Sequence, residues 1–135
     1  MPLPSESRCA FAASPSSLIV YAQLSATRTV VLRLLVDTGA TYTMISLKAA
    51  MAIGTDPSVV TRRIPIVTVS AVEYTPLVTI PSLKCLGHDF PNVEVVCHDL
   101  PPQSAVDGLL GLNVLTHIPS FRRFLDAISS YLIHA

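Results

Sequence analysis

Three residues that could do chemistry stand in a row at Asp37, Thr38 and Gly39, inside the run Leu34–Ala40 (Leu-Leu-Val-Asp-Thr-Gly-Ala). An apolar strand delivers one carboxylate into a tight polar turn, with a hydroxyl beside it and a glycine where backbone must pass closely. Leu32, Leu34, Leu35 and Val36 precede the turn and Met44 and Ile45 follow it, so the carboxylate borders a core. A carboxylate there needs partners, because an isolated buried charge is strongly unfavourable. Taken alone, Asp37 has two readings: an Asx-type cap of its own turn, or an acid–base group. The aspartates at 56, 89, 99, 107 and 126 are not followed by Thr/Ser-Gly. His88, His98, His117 and His134 are scattered, without the His-Glu-x-x-His spacing of a zinc hydrolase. There is no Gly-x-Ser-x-Gly elbow either. Neither a metal nor any other cofactor is expected.

Far downstream, Val106–Leu115 reads Val-Asp-Gly-Leu-Leu-Gly-Leu-Asn-Val-Leu. An apolar strand ending in Asp-Thr-Gly-Ala, a long β-rich stretch, then Leu109-Leu110-Gly111 before a helix resembles the retropepsin-like aspartic proteases, from about Ser17 to the C-terminus. The resemblance implies a mostly β fold, a closed acid-protease-type barrel of one lobe with one or two short helices. It implies an aspartic endopeptidase acting on peptide or protein substrates, and a homodimer. Peptide hydrolysis of this kind takes two carboxyl groups about 3 Å apart that share a proton. With one Asp-Thr-Gly per chain, the second would be Asp37 of the partner subunit. By the same resemblance, Thr38 would bond across the two-fold axis, Gly39 would donate its N–H to the Asp37 carboxylate, and Ala40 completes the turn. Leu109 and Leu110 would pack beneath the turn and line the cleft, while Gly111 lets chains cross there.

The flap of such a domain would fall at Ser70–Tyr74, with Ala71, Val72, Glu73 and Tyr74 near substrate. Between Ile64 and Ile80 there is no glycine, although the family usually has one at this tip. Where viral relatives pair an acidic residue with an arginine, this chain has Thr41-Tyr42 and Leu112, so its dimer would rest more on apolar packing. The glycine-free flap keeps a second reading open, a catalytically silent dimerisation or peptide-binding module of the same fold.

The elements that must position these residues follow from pattern and punctuation. Residues 1–16 carry three prolines and four serines and read as a flexible arm; residues 17–135 form the domain. Ser17–Ser25 and Val30–Val36 read as strands about a turn at Ala26–Thr29. Ser46 is a plausible N-cap for a helix over Leu47–Ile53 that Gly54 stops. Ile64–Val69 and Leu77–Ile80 read as one hairpin, Leu83–Leu86 and Val93–Cys97 as another turning at Gly87–Asp89. His98–Ser104 is a loop around Pro101-Pro102, and Leu112–His117 a short helix. Val30–Ile53 and Val93–His117 form a faint internal repeat. Phe121, Phe124, Leu125, Ile128, Tyr131 and Leu132 fall at helical spacing, but the family pattern favours a closing hairpin, with Asp126 before the turn and Tyr131–Ile133 as the last strand.

Composition sets the outer bounds. The chain has 135 residues, half of them hydrophobic and 13% charged, with a formal net charge of zero. One domain is expected, and so little surface charge suits a dimer that hides apolar area. A neutral chain with no basic run has no electrostatic footprint for nucleic acid and no polybasic segment for a membrane surface. No apolar run approaches the roughly 20 residues of a membrane span. Cys9, Cys85 and Cys97 are odd in number and lack Cys-x-x-Cys spacing, so free thiols in the cytoplasm are expected. The start of the chain lacks the pattern of a secretory signal.

Overall fold

Alternation of apolar and polar residues builds the barrel. In β1 (Ile19–Ser25), Val20, Ala22 and Leu24 turn inward while Tyr21 faces solvent. In β2 (Thr29–Val36), Leu32 and Leu34 are buried and Val31 is exposed. The computed structural model describes residues 18–134, so the arm expected over residues 1–16 lies outside the described residues. The remaining strands are β3 (Thr43–Ile45), β4 (Arg63–Val67), β5 (Val72–Cys85), β6 (His88–Cys97) and β7 (Gly108–Leu110). The helices are α1 (Leu47–Ala52), α2 (Leu112–Leu115) and α3 (Pro119–His134), with a 3₁₀ turn at Pro57–Val59.

Strand order β1-β2-β7-β3-β6-β5 returns to β1, because Gln23, Leu24 and Ser25 pair with Lys84, Leu83 and Ser82. Six strands therefore close a ring, which removes sheet edges, and β4 extends from β5 as the outer arm of a hairpin. The mostly β, single-lobe barrel is as the resemblance implied. Its interior holds Leu24, Leu34, Ile45, Ile80, Leu83, Val95 and Leu110, all fully buried.

β7 is the piece that organises the site. It pairs parallel with β2 (Leu34 with Gly108, Val36 with Leu110) and antiparallel with β3 (Met44 with Leu109, Ile45 with Gly108). The Asp37 turn thus loops around the end of β7. At three residues, β3 is too short to show a period, and no strand was expected there.

Helix α1 begins as expected: the Ser46 hydroxyl accepts from the Ala49 N–H at 3.1 Å. The hairpins differ in register from the expectation. Val67 pairs with Val72, so the first turn is Thr68–Ala71, and Val72, Glu73 and Tyr74 are strand residues opposite Val67, Ile66 and Pro65. The second turn is Leu86-Gly87, with His88 and Asp89 already paired to Cys85 and Lys84.

The C-terminal stretch forms a helix in place of the closing hairpin. Between Phe121 and Ser130 there is no Gly, Pro or Asn to turn the chain, Phe121 packs on the core, and Arg122 pairs with Asp126 one turn on at 3.5 Å. Local periodicity wins over the family pattern. Phe124 and Ile128 stay exposed on this helix. No helix among the described residues is long and apolar enough to cross a membrane.

Cys85 and Cys97 are buried free thiols. Burial pushes both thiols up, Cys97 to about 11 from its ordinary 9.0. At pH 8 native Cys97 should therefore resist iodoacetamide and react once unfolded, as peptide mass spectrometry would show. Between pH 9 and 11 the unfolded chain loses this proton first, so stability should fall as pH rises across that window.

Candidate active site

The Asp37 turn is held by bonds of its own and by bonds to β7 and α2. The Asp37 N–H donates to the Leu110 carbonyl at 3.0 Å, fastening the turn to the end of β7. The Gly39 N–H donates to Asp37 Oδ1 at 2.9 Å, and the Ala40 N–H to the Asp37 carbonyl at 3.2 Å. From below, Leu112 and Asn113, at the start of α2, donate their N–H groups to the Ala40 and Thr41 carbonyls at 2.8 and 3.1 Å. Asp37 and Ala40 are half-buried, whereas Thr38 and Gly39 are exposed. The carboxylate is thus fixed yet reachable, as an acid–base group must be.

A second tier holds that turn in place. Thr43, fully buried, donates its N–H and its hydroxyl to Asn113 Oδ1 at 2.8 and 3.0 Å. The Thr43 hydroxyl accepts from the Gly111 N–H at 3.1 Å, and Asn113 Nδ2 donates to the Glu94 carbonyl at 2.7 Å. Thr43 is buried and Asn113 half-buried, and each of these polar groups has a partner, the condition under which a polar network stiffens a core rather than weakening it. Close approach explains the glycine. A Cβ on Gly111 would lie 2.5 Å from the Tyr42 carbonyl. Asp107 ties the other end of β7, accepting from the Arg33 N–H at 2.8 Å.

A cavity of about 660 Å³ opens beside Gly39 and Ala40, walled by Tyr42, Met44, Ile64 and Ile66. The sequence expectation for the flap meets a different arrangement. Ala71 lies in the hairpin turn, and Val72 and Tyr74 are exposed on β5. Glu73 and Tyr74 border a second cavity of about 570 Å³. Leu110 is fully buried and Leu109 half-buried, and neither walls this cavity, although both were expected to line the cleft.

The hairpin turn needs no glycine, because Thr68 closes it with its side chain. The hydroxyl donates to the Ala71 carbonyl at 2.9 Å and accepts from the Ala71 N–H at 3.1 Å. No residue of the turn has positive φ. Sequence reasoning missed Tyr42, Met44, Ile64 and Ile66 as cavity walls and Asn113 as the anchor. For Asn113 a signal existed: one polar residue between Leu112 and Val114 on a short apolar helix.

Among the described residues, no three His, Cys, Asp or Glu side chains gather as a metal ion would require. A family profile described as aspartyl protease matches residues 25–114. Among solved structures, the chain is similar to a retropepsin-like aspartic protease from Rickettsia conorii, with a TM-score of 0.60 and 22% identity. The match covers 75% of this chain and 78% of that one. Among curated proteins none matches significantly.

Proposed function

The chain belongs to the aspartyl protease family, and we propose that it is an endopeptidase in which Asp37 and the partner's Asp37 activate water across a homodimer. The observation that carries this reading is the seat of Asp37: half-buried, fastened through its own N–H and through the Gly39 N–H, in the turn whose Gly39 and Ala40 line an apolar cavity. One carboxylate takes a proton from water as the oxygen attacks the scissile carbonyl. The other, protonated, donates to the carbonyl oxygen, and the roles reverse as the amine leaves. One Asp-Thr-Gly per chain makes a second copy necessary for that division of labour. Thr38, exposed beside Asp37, is free to bond across the axis. The walls at Met44, Ile64 and Ile66 suit peptides with bulky apolar side chains beside the scissile bond. Two buried thiols, Cys85 and Cys97, suit the reducing cytoplasm.

A catalytically silent peptide-binding module would use the same cavity, and the glycine-free flap favours it. Incubation with a denatured protein mixture at mildly acid pH, with and without a statine-type inhibitor, separates the two. Cleavage abolished by the inhibitor is expected. Cleavage indifferent to it removes the aspartic mechanism, and a dimer without any cleavage is the silent module.

A further inference from the structure

His98 faces two acceptors and can satisfy both only with a proton on each ring nitrogen. Its Nδ1 lies 2.9 Å from the Asp99 carbonyl oxygen, and its Nε2 lies 3.1 Å from Glu73 Oε1. Neutral imidazole has a single N–H to donate, whereas imidazolium has two. Making both contacts hydrogen bonds to an ionised Glu73 and the Asp99 carbonyl therefore takes the imidazolium.

Glu73 lies on β5 beyond the stretch that pairs with β6, and His98 directly follows β6. Glu73 is on β5, opposite Ile66 in the flap hairpin, and cross-strand partners share one face of the ribbon. That face carries Ile66 over the 660 Å³ cavity and Glu73 down to His98. His98 itself is fixed to the barrel, its N–H donating to the Ile45 carbonyl at 3.0 Å. Asp99, next in the chain, accepts from the Leu47 N–H at 2.9 Å through Oδ1, so its carboxylate is engaged at the start of α1. The other titratable or charged groups around the same space are Asp56, Arg63, Tyr74 and Cys97. Asp56 is occupied by the Ser58 N–H and hydroxyl, and these bonds hold its carboxyl below the usual range. Arg63 brings a fixed positive charge to this cavity.

We propose that His98 is a positioning residue which, when protonated, straps the β5 arm of the flap to the barrel through Glu73 and so sets the height of Ile66 over the cleft. The strap acts on the site read above as catalytic, and rests on that reading for its effect on hydrolysis. Histidine changes charge between about pH 5 and 8. With a cation at position 98 both contacts are hydrogen bonds; with a neutral ring beside an ionised Glu73 only one of them is.

Amide hydrogen exchange of the flap hairpin tests this without reference to activity. After correction for the intrinsic pH dependence of exchange, wild-type protection at Ile66 and Glu73 should fall about two- to fivefold from pH 5 to pH 8, the range expected for a half-exposed ion pair. His98→Gln should show the weaker protection at both pH values, and His98→Lys, which keeps a cation beside Glu73, the stronger at both. With a peptide substrate, KM should rise about as much as protection falls while kcat changes less, and His98→Lys should keep its low KM to higher pH. Protection independent of pH in the wild type, or equally pH-dependent in His98→Gln, would overturn the strap. Absence of hydrolysis with strap-dependent exchange intact would overturn only the catalytic reading of Asp37.

Discussion

Equal amounts of wild-type and Asp37→Asn chains, allowed to exchange partners, should hydrolyse peptide at about half the rate of the wild-type chains alone. Random pairing puts about a quarter of the dimers in the fully wild-type class, and a mixed dimer has one carboxylate and cannot divide acid and base roles. With threefold excess of the variant, the rate should fall to about a quarter by the same statistics. Asp37→Asn by itself should lose roughly a thousandfold or more of the activity, since it removes the general base outright. Its fold should persist, because a carboxamide oxygen still accepts the Gly39 N–H that Asp37 Oδ1 accepts at 2.9 Å. The pH profile should be a bell owned by the pair: the acid limb marks protonation of both carboxyl groups, the alkaline limb loss of the shared proton. A rate proportional to wild-type chains at every mixing ratio and dilution would identify a self-sufficient monomer and end the shared-dyad mechanism.

The largest stability effect is expected at a glycine with no chemical role. Gly108→Ala would place its Cβ 2.0 Å from the Met44 carbonyl oxygen and 3.0 Å from the Ile45 Cα. Both are backbone, and β7 is paired on both sides, so neither neighbour can yield without breaking a ladder. A cost of about 3 kcal/mol or more follows, a large share of the 5–15 kcal/mol typical of a domain. The midpoint of thermal unfolding should drop by more than about 10 °C, with activity falling in step. Gly87→Ala is the control. Its Cβ would meet nothing within 4 Å, and only the left-handed backbone at φ +79° opposes it, a penalty of about 1–2 kcal/mol. Equal losses at the two positions would show that backbone conformation, not the threading of β7, sets the need for glycine.

The parts of this fold that were legible in the sequence are those that local physics specifies. Asp37-Thr38-Gly39 after an apolar run, Ser46 before Leu47, and the inward alternation of Val20, Ala22 and Leu24 each state their structure within a few residues. The turn of the first hairpin, expected around Ser70–Tyr74, falls at Thr68–Ala71 for the opposite reason. Apolar residues run on both sides of Thr68–Ala71, and its closure by a threonine side chain leaves none of the usual glycine punctuation. In the stretch from Phe121, a family expectation competed with a 3.6-residue period, and the period prevailed. The anchoring role of Asn113 depends on Thr43 and the Glu94 carbonyl, partners that only the closed barrel brings near.

The threading of β7 also sets an order of events in folding. Arg33 and Asp107, which bracket the β2–β7 pairing, are 74 positions apart in the chain. Pairings of such long sequence separation form late, after the loop between them has been closed by nearer contacts. Until then Asp37 sits in a turn with no Leu110 carbonyl above it and no α2 beneath it. A chain still leaving the ribosome would carry the motif without the scaffold. The seat proposed for catalysis would therefore be complete only when β7 has joined β2 and β3, late in folding.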